Sequence, residues 1–173
     1  MKYKLFNHKG LTLIELIITI ALLGIIISFM FIFFQFNYST FFRSNNKYDL
    51  QTSMNNAARL IEEELKFADE MNIYSNEDSI YNTKNYIFLE DNLIKIKKVG
   101  YESKDLIKDD LIIVDKLWFK LDENLLTFQI KGQNVKSKEE FTVESTIELL
   151  NMKDVDNMEL EGSIIEYFVK GDD

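Results

Sequence analysis

From Leu11 to Phe36 the chain runs almost without polar side chains: only Thr12, Glu15, Thr19, Ser28 and Gln35 interrupt it. As a helix this run would be about 39 Å long, against about 30 Å for the hydrocarbon core of a bilayer. A chain with such a segment must give it lipid or a close-packed protein neighbour, and no second segment of this kind follows. One residue sits badly in it. An ionised side chain at the centre of a membrane helix costs roughly 2.5–3.5 kcal/mol, so Glu15 needs explaining. It is either protonated close to a helix end, where the interface is near, or a carboxylate that meets a partner.

The flanks predict an orientation. Lys2, Lys4 and Lys9 precede the run without an acid, which by the positive-inside rule keeps the N-terminus in the cytoplasm and sends the rest outward. Residues 45–173 hold 16 Lys and Arg against 28 Asp and Glu, a net of −12. That field repels nucleic acid, so no direct nucleic-acid binding is expected. A secretory signal would also begin with a basic region and an apolar stretch. Here the stretch is too long for one, and "QFNYSTFFRSNN" after it offers no small-x-small cleavage site. The small residue suited to processing, Gly10, lies ahead of the run, so a cut there would remove the basic leader and keep the helix.

The segment "KGLTLIEL" resembles the cleavage and methylation motif of type IV prepilins and pseudopilins through Gly10, Thr12, Leu13, Ile14, Glu15 and Leu16, with Leu11 where Phe is commoner. The resemblance implies that a prepilin peptidase cuts between Gly10 and Leu11 and methylates the new amine of Leu11. It also implies that Glu15 neutralises the N-terminal amine of an adjacent subunit, which makes Glu15 the docking residue. At about 4 Å and an effective dielectric of 20 that attraction is roughly 4 kcal/mol, comparable with the cost of burying the charge. Major pilins commonly carry Pro at the twenty-second mature position; Ile32 stands there in this chain, which leans toward a minor subunit.

Beyond the span, Leu50, Met54, Ala57, Ile61, Leu65 and Ala68 recur at steps of four and three, the pattern of an amphipathic helix. No Pro interrupts the chain, so one helix is expected to continue to about residue 72, with Gly24 and "RSNNKYD" (43–49) as its weak points. The period then becomes that of strands. "YIFLEDNLIKIKKV" reads as a hairpin turning at Glu90–Asn92, "KLWFKLDENLLTFQI" as one turning at Asp122–Asn124, and "FTVESTIELL" as a further strand. Lys131–Glu140 is read as a loop, "NMKDVDNMELEG" as another, and "SIIEYFV" as a closing strand or an extension seeking an edge. The expected fold class is α+β, a long N-terminal helix on an antiparallel sheet. Its parts are a leader (1–10), a membrane or filament-core helix (11–36), an amphipathic continuation (37–72) and a β-rich head (73–173). The order of elements in the head, including "RLIEEEL" and "STIELLN", is similar to that of minor pseudopilins of the J/W type.

Chemistry has little to work with. His8 stands in the leader, so the mature chain would lack an imidazole, and there is no cysteine for a thiol nucleophile, a metal or a disulfide. The glycines are isolated and form no phosphate loop. "DVDNMELE" (154–161) supplies calcium-type oxygens but lacks the central Gly and closing Glu of an EF-hand loop, so it reads as a solvated loop. "EEE" (62–64) reads as an exposed helix side. Trp118 and Phe119 must face opposite sides of one strand. No catalytic residue, metal or cofactor is expected. The chain reads as a structural subunit, stored in the cytoplasmic membrane with its head outside and assembled with other pilin or pseudopilin subunits. The rival reading is a single-span, signal-anchored protein whose head binds a partner without assembling.

Overall fold

The computed structural model describes residues 10–75, 84–152 and 160–170. The chain divides into two units, Met1–Ser44 and Asn45–Asp173, and helix α1 (Leu13–Leu65) contributes to both. In the first unit every apolar side chain from Leu11 to Phe36 is exposed by the chain itself, which leaves them to an apolar surrounding. Its C-terminal part is dense in aromatics: Phe34 stacks on Tyr38 with ring centroids 6.2 Å apart, and Tyr38 meets Phe42 at 4.5 Å. The helix passes unbroken through Gly24 and through 43–49. At Gly24 the carbonyl accepts an extra bond from Ser28 Oγ at 2.8 Å.

The second unit is α+β. Leu50, Met54, Ala57, Ala58, Ile61 and Leu65 form the buried face of α1, as the four-three spacing requires. The helix stops at Leu65 rather than near 72. There the chain is captured as a strand: Asp69 N–H donates to the Phe168 carbonyl at 2.8 Å, and Asp69 Oδ2 accepts from Lys170 N–H at 2.7 Å. Strand β1 (Glu70–Tyr74) follows, with Met71 and Ile73 buried and their neighbours not.

Two antiparallel sheets replace the single sheet expected. One has the order β1-β9-β2-β3-β4, with β2 Asn85–Glu90, β3 Leu93–Lys97, β4 Lys104–Asp105 and β9 Ile164–Phe168. The other has the order β7-β6-β5-β8, with β5 Ile112–Asp122, β6 Leu125–Asn134, β7 Glu140–Glu148 and β8 Leu160–Gly162. The C-terminal segment makes the division. β8 pairs with β5 in one sheet, and after Ser163 β9 pairs with both β1 and β2 in the other. "SIIEYFV" is therefore an interior strand, not a closing one. Gly162 permits the crossing, because a Cβ there would overlap the Tyr74 backbone carbonyl.

Both hairpins turn where the sequence places them. Asp91 and Asn92 have φ of 53° and 61°, the pair of positive angles a two-residue type I′ turn needs. Glu123, φ 54°, opens the second. β6 continues to Asn134, four residues into the expected loop. Gly132 belongs to that extension: a Cβ on it would lie 2.8 Å from the Ile113 carbonyl and 3.1 Å from Met54 Cε, so the strand approaches the helix closely only because this residue is glycine. In β5 the register shifts between Val114 and Lys116. With Asp115 as the extra residue, Ile112 and Val114 face the core on one side of the bulge and Leu117, Phe119 and Leu121 on the other. Phe119 is fully buried, while half-buried Trp118 on the opposite face meets the Lys116 ammonium 5.7 Å from its ring. The calcium-type stretch lies mostly outside the described residues; of it, only Leu160 and Glu161 are placed, in β8.

Candidate functional site

The start of α1 rests on bonds among Thr12, Glu15 and Leu16. Thr12 is the N-cap, and its carbonyl accepts the first helical bond from Leu16 N–H at 3.2 Å. Thr12 Oγ1 accepts from Glu15 N–H at 3.3 Å. In return Glu15 Oε2 accepts from Thr12 N–H and from Thr12 Oγ1, each at 2.8 Å. This is a reciprocal capping box, in which a Thr and a Glu three residues apart satisfy each other's otherwise orphaned donors. The carboxylate also stands at the positive end of the helix dipole. The pattern T-x-x-E ahead of an apolar run is itself a helix-start signal. Read as a lone charge, Glu15 hides it.

Glu15 is therefore not without partners in the single chain. Both bonds fall on Oε2, however, and no described residue donates to Oε1. One oxygen holds the helix start and the other is open to a further donor. Gly10 and Leu11 precede the cap in irregular, exposed backbone. A Cβ on Gly10 would meet nothing within 4 Å, so the fold of this chain makes no demand for glycine there.

Among the described residues of the head, one carboxylate is buried. Glu166 on β9, 4% exposed, accepts from Lys84 Nζ at 2.5 Å, Tyr86 Oη at 2.8 Å and Asn72 Nδ2 at 3.2 Å. Burial pushes its pKa up, but the bonds from Lys84, Tyr86 and Asn72 together outweigh that and hold it below the ordinary value of 4.5. Lys84 is shifted the complementary way, upward, chiefly by its bond to Glu166. The arrangement clamps β1, β9 and the entry to β2. A cleft of about 720 Å³ lies elsewhere on the head, between Ser53, Asn56 and Leu60 of α1 and Tyr101, Leu106 and Ile107, with the Lys98–Glu64 ion pair at 2.8 Å on its wall. Among the described residues no group of His, Cys, Asp and Glu is arranged to hold a metal ion.

A family model for the prokaryotic N-terminal methylation motif matches residues 5–31. The chain carries the N-terminal motif of type IV pilin-like precursors. That match contains Gly10, Leu11 and the whole capping box, so the residues that make the cap are also residues of the pilin motif. Together the motif and the exposed apolar helix support anchoring in a membrane and a structural subunit rather than an enzyme. No curated protein and no solved structure matches the chain.

Proposed function

We propose that the pilin-like precursor is a minor pilin or pseudopilin subunit. It waits in the cytoplasmic membrane with its N-terminus inside and its head outside, is cut after Gly10 by a prepilin peptidase that methylates Leu11, and is then packed by helix 11–36 with other pilin-type subunits into a filament. The carrying observation is the capped Glu15 at the head of a helix whose apolar side chains its own chain leaves exposed. Such a helix is stable at its start yet unsatisfied along its length, a condition that lipid relieves first and neighbouring helices relieve on assembly. The free Oε1 is where a neighbour's terminal amine would add to the local bonds of Oε2. The filament would be a pilus, a type II secretion pseudopilus or a DNA-uptake filament.

The open surroundings of Gly10 support cleavage there, because the need for a small residue then comes from the approaching peptidase. Gly10→Glu should leave the fold untouched and the leader attached. Intact mass and N-terminal sequencing check this: the parent should begin at methylated Leu11 and the variant should retain its leader. A normally trimmed variant would refute the assignment. The cleft beside Tyr101 is what would favour a signal-anchored binding protein instead, and an untrimmed parent in a cell with an active prepilin peptidase would support that reading.

A further inference from the structure

Among the described residues, the head has one long sheet edge without a partner. Two of the other edges are short: β4 has two residues and β8 three. That of β1 has five residues. β7 runs nine residues without a bulge and pairs only with β6 among the described strands. Which of its backbone groups are free follows from its register. Asn134 N–H donates to the Glu139 carbonyl at 3.0 Å and Leu149 N–H to the Asn124 carbonyl at 2.8 Å, so both ends of the ladder are hydrogen-bonded pairs. Such pairs alternate along an antiparallel ladder. Phe141, Val143, Ser145 and Ile147 therefore turn their backbone toward β6, and Glu140, Thr142, Glu144, Thr146 and Glu148 turn theirs away. These last five are the exposed residues of the strand.

The β6 side shows what this row accepts. Glu140 pairs with Lys131 Nζ at 2.7 Å, Glu144 accepts from Gln129 Nε2 at 3.4 Å, and Glu148 from Asn124 Nδ2 at 3.2 Å, while Thr146 shares a hydrogen bond with Thr127 at 2.9 Å. Each acid takes a donor from the neighbouring chain segment, Gln129 from directly opposite Glu144 and Lys131 and Asn124 from diagonal positions. We infer that β7 is a docking edge for an extended basic segment of a partner protein, added antiparallel as a fifth strand. Its residues opposite Glu140, Glu144 and Glu148 are Lys or Arg, those opposite the threonines are Thr, and the alternate residues, which lie on the face of Phe141, Val143 and Ile147, are apolar. A second copy fits poorly, because the centred antiparallel register sets Glu144 against Glu144 and Glu140 against Glu148. The inference does not depend on cleavage at Gly10.

The test uses the full chain in detergent micelles and the end-blocked peptide Lys-Val-Thr-Val-Lys-Val-Thr-Val-Lys. Hydrogen exchange at the amides of Glu140, Thr142, Glu144, Thr146 and Glu148 should slow about tenfold or more at saturation, as newly paired backbone groups do. Affinity should fall as salt rises. Thr146→Pro removes an N–H that points away from β6, a position where an edge strand tolerates proline, and should abolish binding; Glu144→Lys should weaken it about tenfold, as juxtaposed like charges do. In both variants the amides of Phe141, Val143, Ser145 and Ile147 should stay slow, which shows the ladder intact. Unchanged exchange at the five outward amides would overturn the proposal, as would equal binding of the same peptide with Glu for Lys. So would protection that needs no peptide and grows with chain concentration, which would put a second copy on the edge.

Discussion

At the scale of single residues the chain uses two carboxylates in opposite ways. Glu15 is tied to its own helix through Oε2 and keeps Oε1 open. Glu15→Val removes the charge that is costly in a bilayer, so the variant should insert at least as well as the parent and still be trimmed. It keeps the Thr12 cap but loses the Glu15 half of the capping box, a cost below the about 1 kcal/mol of a full cap, and the larger effect should be on incorporation into filaments, which should fall sharply. Comparing membrane and sheared fractions, with mature size checked in both, decides this: equal incorporation would mean that Glu15 is not the docking charge. Glu166, by contrast, is spent entirely on the head. Its folded pKa lies below its ordinary value, so its stabilisation is present above about pH 4.5 and is lost as the pH falls through the folded pKa. Glu166→Gln should cost about 1–2 kcal/mol at pH 7, since the amide cannot accept from Lys84, Tyr86 and Asn72 together. Denaturant melts should show that gap closing toward pH 3, and a gap independent of pH would show that the loss is one of packing alone.

At the scale of elements, the buried face of α1 is what both sheets share. Ile61 is fully buried at its middle, and an Asp there would carry an unpaired charge into the core. Ile61→Asp should destabilise the head by about 4 kcal/mol or more, read as a fall in thermal midpoint or outright unfolding by circular dichroism. An unchanged midpoint would show that this helix face does not anchor the head. The exposed side of the same helix is less idle than "EEE" implies: Glu62 accepts from Ser145 Oγ on β7 at 2.5 Å and Glu64 pairs with Lys98, while Glu63 pairs with Arg59 along the helix at 2.9 Å. The contacts to Ser145 and Lys98 were not legible in the sequence. Spacing along a helix says which residues share a face; which strand lies against that face depends on residues as far as 83 positions away.

At the scale of the whole molecule, the second unit carries its own core, drawn from α1, both sheets and Tyr167. Residues 45–173 should therefore fold alone as a soluble, acidic monomer. Size-exclusion chromatography and a single cooperative melt check this, and an aggregated or molten product would mean that the head needs the first part of α1. The sequence by itself determined the apolar span, the methylation motif, the helix face from Leu50 to Leu65 and both hairpin turns, because each is written in neighbouring residues: continuous hydrophobicity, "KGLTLIEL", a four-three period, Asp-Asn and Glu-Asn between alternating strands. Only the tertiary structure decided that there are two sheets, that α1 yields to β1 after Leu65, that β9 lies inside a sheet, and that β5 needs a bulge. β1, β4 and β8 are too short to announce themselves by pattern. Each exists because a distant segment offers it a ladder, as Ile164–Phe168 does for Glu70–Tyr74, and non-local pairing leaves no period in the local sequence.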